Sequence, residues 1–108
     1  MKRKVRAMMR RMPCRVQVDH ELQEEILDLE PDARREIGDF LLVLQQDPLP
    51  EEREALVRKS RIPAYFVALP CGFYVTWEII GDQMELTLTG KTSGLLVRIL
   101  GVDRVRPS

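Results

Sequence analysis

Apolar and polar residues alternate along Phe73–Ile80 with the regularity of a half-buried strand. Phe73, Val75, Trp77 and Ile79 fall on one side, and Tyr74, Thr76 and Glu78 on the other. Residues 64–69 precede this stretch across Pro70-Cys71-Gly72, a turn signal, so the two runs predict a β-hairpin. After Gly81-Asp82-Gln83 the alternation resumes, with Met84, Leu86 and Leu88 against Glu85, Thr87 and Thr89, and predicts another strand. The resulting sheet has an apolar side that needs a cover and a polar side free to meet a ligand.

The period changes between residues 19 and 46. Leu22, Ile26 and Leu29 recur at helical spacing behind Asp19, a good N-cap, and Glu21, Glu24 and Glu25 sit where negative charge complements the helix dipole. Pro31 interrupts this helix and suits the first turn of a longer one over residues 31–46, whose Ala33, Ile37, Phe40, Leu41 and Leu44 form a wide apolar stripe. Asp47-Pro48-Leu49-Pro50 stops it. Residues 51–57 are expected to add one short helical turn with Leu56 inward. Residues 15–19 alternate and predict a first strand with Val16 and Val18 inward, and residues 95–105 predict a last one. The order β-α-α-β-β-β-β predicts an α+β fold, two helices packed on one face of a mostly antiparallel twisted sheet.

A chain of 108 residues suits one domain, over residues 13–108. No run approaches the ~20 apolar residues of a spanning helix, and the basic N-terminus lacks the apolar segment of a secretory signal, so a cytoplasmic protein is expected. Cys14 and Cys71 are too few and too far apart for a disulfide framework or metal knuckle, so free thiols and no metal or cofactor are expected. The formal net charge is +0 but unevenly spread. Lys2, Arg3, Lys4, Arg6, Arg10, Arg11 and Arg15 meet no acid before Asp19, whereas acids dominate from Asp19 to Leu56 and bases again prevail beyond. Residues 1–12 therefore read as a basic, flexible arm, one use of which is nucleic-acid contact, beside an acidic helical layer. Met8, Met9 and Met12 also leave a later translational start open. Gly90-Lys91-Thr92 is no phosphate loop, because position 85, where that motif needs glycine, is Glu85.

The run Ile37-Gly-Asp-Phe-Leu-Leu-Val-Leu-Gln-Gln-Asp-Pro48, then Leu56, then Tyr65 through Ile80, resembles the RelE/ParE toxin superfamily of bacterial toxin–antitoxin systems. In that family a helix ending in Asp-Pro precedes a hairpin whose second strand carries Gly-aromatic followed by alternating aliphatic and aromatic residues. Gly72, Phe73, Val75, Trp77 and Ile79 match it, and the likeness extends over about residues 14–106. The resemblance implies a partner antitoxin and one of two modes of action: ribosome-dependent mRNA cleavage without a metal, or, as in the ParE branch, binding to DNA gyrase. A degenerate interaction protein that has kept the fold is a further alternative. In the members that cleave mRNA, an arginine that meets the scissile phosphate follows Gly-aromatic; here that position is Tyr74, which carries no charge and cannot grip phosphate bidentately. The family's closing basic element and terminal tyrosine are replaced by Val102-Asp103-Arg104-Val105-Arg106.

Metal-free RNA cleavage needs a base, an acid and cations around the pentacoordinate phosphate. The candidate catalytic residues are Tyr74, Arg98 and Arg104, with Lys59, Arg61 and Arg106 as phosphate-binding cations; together they are expected to form a cationic patch on the polar face, or else to be ordinary solvated charges. Glu78 shares the face of Tyr74, and pairing with Arg98 across strands explains it more plainly than a role as base. His20, at a helix start among acids, reads as a surface residue.

Overall fold

The computed structural model describes residues 14–56, 62–81 and 95–105. The strand expected over residues 84–89, the loop 90–94, the basic arm 1–12 and the cations Lys59, Arg61 and Arg106 lie outside these residues. Strands β1 (Arg15–Gln17), β2 (Glu54–Leu56), β3 (Ala64–Ala68), β4 (Phe73–Ile80) and β5 (Leu96–Arg104) form one sheet in the order β1-β5-β4-β3-β2. β1 runs parallel to β5 and the remaining pairs are antiparallel. Helices α1 (His20–Leu27) and α2 (Pro31–Gln46) cover one face, so the fold is α+β as the periodicity requires.

The helices form where their local signals lie. Asp19 caps α1, its carboxylate accepting the backbone N–H of Leu22 at 2.8 Å, and Pro31 opens α2. Leu22 from α1 and Phe40 and Leu44 from α2 pack on Val75, Trp77 and Ile79 of β4 and Val97 and Ile99 of β5; a second cluster joins Ala33 and Ile37 to Phe73. Trp77, fully buried, is the centre of the larger cluster. Phe40 meets it edge-on at 5.6 Å between ring centroids, and its indole Nε1 donates to the Pro48 carbonyl at 3.0 Å. Pro48 thus ends α2 and also satisfies the one polar atom of a buried tryptophan.

One expectation fails. Instead of the helical turn expected over 51–57, the described residues 51–56 give a turn at Glu51 and Glu52 and then strand β2, in which Glu54, Ala55 and Leu56 pair with Phe66, Tyr65 and Ala64. So short a segment after two prolines cannot offset the cost of helix nucleation, whereas β3 presents an unpaired edge to which it adds directly. At the other end of the hairpin, Gly72 adopts φ +92°, a conformation glycine alone adopts readily, and its carbonyl accepts the N–H of Val105 at 2.7 Å, tying the end of β5 to the β3–β4 turn.

Leu44 is fully buried while Leu42, on the same helix, is 60% exposed. Leu44→Ala should therefore lower the unfolding free energy by about 2–5 kcal/mol, and Leu42→Ala should change it by less than about 0.5 kcal/mol, both read from urea denaturation. The thiols should differ as well. Cys14 is buried, donates to the carbonyls of Leu44 and Gln45 at 3.1 and 3.2 Å, and has its pKa pushed up, chiefly by burial and further by Asp47, although backbone hydrogen bonding works the other way. Iodoacetamide applied to the native protein should label half-exposed Cys71 and leave Cys14 intact until the chain is unfolded.

Candidate functional site

The sheet face away from the helices is organised in rows of cross-strand neighbours. One row is Ala68–Tyr74–Asp103; the next is Glu54–Phe66–Thr76–Gly101; the third places Ala64, Glu78, Arg98 and Gln17 side by side. The rows differ in exposure. In the third, Ala64 and Glu78 are 1% and 4% exposed while Arg98 and Gln17 are exposed, so this end of the face is open only on its β5–β1 side. Around Tyr74 the surface opens into a groove of about 540 Å³. Phe66, Ala68, Tyr74 and Thr76 line one side of it and Leu100, Gly101, Asp103 and Val105 the other. Phe66 and Tyr74 meet edge to face at 6.1 Å, forming an aromatic wall.

The cations expected here are placed differently. Arg98 does project to this face, directly across from Glu78, and donates to its Oε1 at 3.3 Å. Its charge is committed to a carboxylate. Arg104 is on the opposite face, its guanidinium 4.7 Å from the centroid of the Phe73 ring. The cause is a β-bulge. Ile99 pairs with Trp77 and Gly101 with Thr76, so Leu100 is an extra residue in β5 and every later side chain changes sides. Without the bulge Arg98 and Arg104, six residues apart, would share a face; with it Asp103 takes the place beside Tyr74. Among the described residues no Lys or Arg lines the groove. His20 is a surface residue as expected, 3.2 Å from Glu24.

No protein-family model matches the sequence, and no curated protein does. Solved structures do match. The archaeal RelE–RelB complex from Pyrococcus horikoshii OT3 is 16% identical, with a TM-score of 0.66 over 90% of this chain and 100% of that one. The isolated RelE toxin of E. coli is 17% identical, with a TM-score of 0.61 over 88% of this chain and 87% of that one. The toxin–antitoxin complex RelBE2 from Mycobacterium tuberculosis is 19% identical, with a TM-score of 0.59 over 85% and 98%. The chain has the RelE-like toxin fold.

On this RelE-like scaffold the groove can hold apolar and aromatic groups and, at Asp103, a cation. Tyr74 can stack or donate one hydrogen bond, but its cross-strand neighbour on β5 is a carboxylate, which opposes a phosphate rather than neutralising it. Among the described residues no group of His, Cys, Asp or Glu side chains could hold a metal, and no helix is long and apolar enough to cross a membrane. Sequence reasoning missed Glu54, Phe66, Leu100 and Asp103. Gly101 inside a strand was the available signal, because an interior glycine often marks a bulge.

The Glu78–Arg98 pair joins a carboxylate 6% exposed to a guanidinium 48% exposed. A double-mutant cycle with Glu78→Gln and Arg98→Met should give a coupling of about 0.5–1.5 kcal/mol, kept low because water screens the arginine. A coupling near zero would mean that the ion pair does not help to hold β4 and β5 in register.

Proposed function

We propose that this protein is the toxin-like member of a bacterial toxin–antitoxin pair and that it arrests growth by binding a target rather than by cutting RNA. The single observation that carries the choice is the lining of the outer groove: an aromatic and aliphatic surface with Asp103 beside Tyr74, Arg98 engaged by Glu78, and Arg104 turned to the other face. Ribosome-dependent cleavage asks for positive charge around the scissile phosphate, and this surface supplies a carboxylate there. An apolar groove suits a protein surface. DNA gyrase, the target of the ParE branch that the sequence resembles, is one candidate. That two of the fold neighbours are toxin–antitoxin complexes supports an antitoxin as the regulating partner.

The test is induced expression in a bacterial host with transcript ends mapped. Wild type should arrest growth without new cuts inside codons, and both Tyr74→Ala and Leu100→Glu should relieve the arrest at least about tenfold in surviving colonies. Leu100 is 40% exposed, so its replacement leaves the core intact. New cuts within translated codons that disappear in Tyr74→Ala would overturn the binding reading in favour of the nuclease, with Tyr74 at its centre.

A further inference from the structure

The outer groove has an apolar floor between two acidic rims. Phe66, Tyr74 and Leu100 supply most of the floor. Asp103 on β5 stands directly across from Tyr74, and on the far side Glu54 on β2 stands directly across from Phe66. Both acids are exposed, and among the described residues neither makes an ion pair.

The carboxylate of Asp103 is turned along the groove rather than away from it. A Cβ at Gly101 would stand 3.0 Å from Asp103 Oδ2, so that oxygen lies over Gly101, which itself lines the groove. A group seated there meets a negative charge on one side and the aromatic wall of Tyr74 and Phe66 on the other. Arginine matches both: its planar guanidinium stacks on aromatic rings, accepts a weaker hydration shell than an ammonium and takes a carboxylate through two N–H groups. A phosphate or an acidic segment meets repulsion at the same place.

The two rims also set a spacing. β5 and β2 are three strand intervals apart, and the Asp103 and Glu54 rows are offset by two residues, which places the acids roughly 16 Å apart. In an extended segment, residues four apart are separated by roughly 13 Å and point to the same side, and the length of arginine side chains covers the difference. The residue midway between them then faces the apolar floor.

We infer that the target enters this groove with a segment in which two arginines, four residues apart, bracket an apolar side chain, one arginine on Asp103 and Tyr74 and the other on Glu54. This rests on the reading of the protein as a target-binding toxin, and it names what the target must present. Asp103 and Glu54 are the residues that select it, and the apolar floor holds it.

Fluorescence anisotropy of the full-length protein with a fluorescein-labelled peptide, Ser-Arg-Leu-Phe-Leu-Arg-Ser, tests this. It should bind at least about tenfold more tightly than the counterpart with glutamine for both arginines, and at least about threefold more tightly than an isomer with the arginines adjacent. Asp103→Asn should remove most of the preference for arginine over glutamine. Gly101→Ala should reduce it too, since it keeps every charge but displaces the carboxylate, whereas Asp39→Asn on α2 should leave it unchanged. Near-ultraviolet circular dichroism checks that each variant keeps its packed core. Equal binding of the arginine and glutamine peptides, a preference that survives Asp103→Asn, or no binding of any peptide would overturn the inference. Equal binding of the adjacent-arginine isomer would reduce the effect to net charge and overturn the bracketed arrangement. Displacement of the peptide by a single-stranded RNA oligonucleotide would make the groove a nucleic-acid surface and overturn it as well. Anisotropy reads the ligand chemistry of the groove and transcript ends read the mode of arrest. Peptide failure beside arrest without cuts therefore sinks the inference alone, and cuts within codons sink the binding reading whatever the peptides do.

Discussion

A single unpaired residue in β5 governs what the outer surface of this sheet can do. Because side chains alternate with a period of two, the insertion of Leu100 between the Ile99–Trp77 and Gly101–Thr76 pairs reverses the facing of everything downstream. Before the bulge, β5 sends Val97 and Ile99 to the core and Arg98 outward; after it, Val102 packs against the core, Arg104 stacks on Phe73 and Asp103 turns outward. An unbroken register would set Val102 across from Tyr74 and Asp103 across from Phe73, turning a valine outward and burying a carboxylate against the helices. Burial of that carboxylate would cost more than the ladder hydrogen bond that the bulge sacrifices.

The bulge is held in place from both ends. On one side Trp77 is fixed by Phe40 and by its hydrogen bond to Pro48, so Ile99, its partner across the ladder, has one compatible position. On the other, the N–H of Val105 reaches the carbonyl of Gly72, anchoring the strand end to the turn that starts β4. With both ends pinned, the strand between them carries one residue more than its partner, and the surplus appears where Gly101 tolerates it. Core packing on the helix side thus sets the chemistry of the exposed side.

Most of the architecture was legible in the chain because it is written in periodicity. Phe73 to Ile79 alternate, Ala33 to Leu44 follow the helical repeat, and Asp19, Pro31 and Pro48 mark the helix ends, so α1, α2, β3 and β4 follow from local signals. β2 was not legible, since three residues define no period and their conformation is imposed by the edge of β3. The candidate site was read less well. Tyr74, Arg98 and the Glu78 pairing were placed on the correct face, but Arg104 was not, because counting residues along a strand presupposes an unbroken ladder. Phe66 escaped notice because both sides of β3 are apolar, which hides the distinction between core and groove until a partner strand supplies the register.

The same scaffold can therefore carry opposite electrostatics without a change of fold. Helices packing on Val75, Trp77, Val97 and Ile99 need only the inward half of each strand, so a likeness of fold to RelE structures at 16–19% identity leaves the outward half open. The outward half is unconstrained by the core except through register, so one extra residue in β5 is enough to turn Arg104 away from the outer face and set Asp103 beside Tyr74. Fold likeness identifies the scaffold, and the lining of the groove decides which partners it can hold.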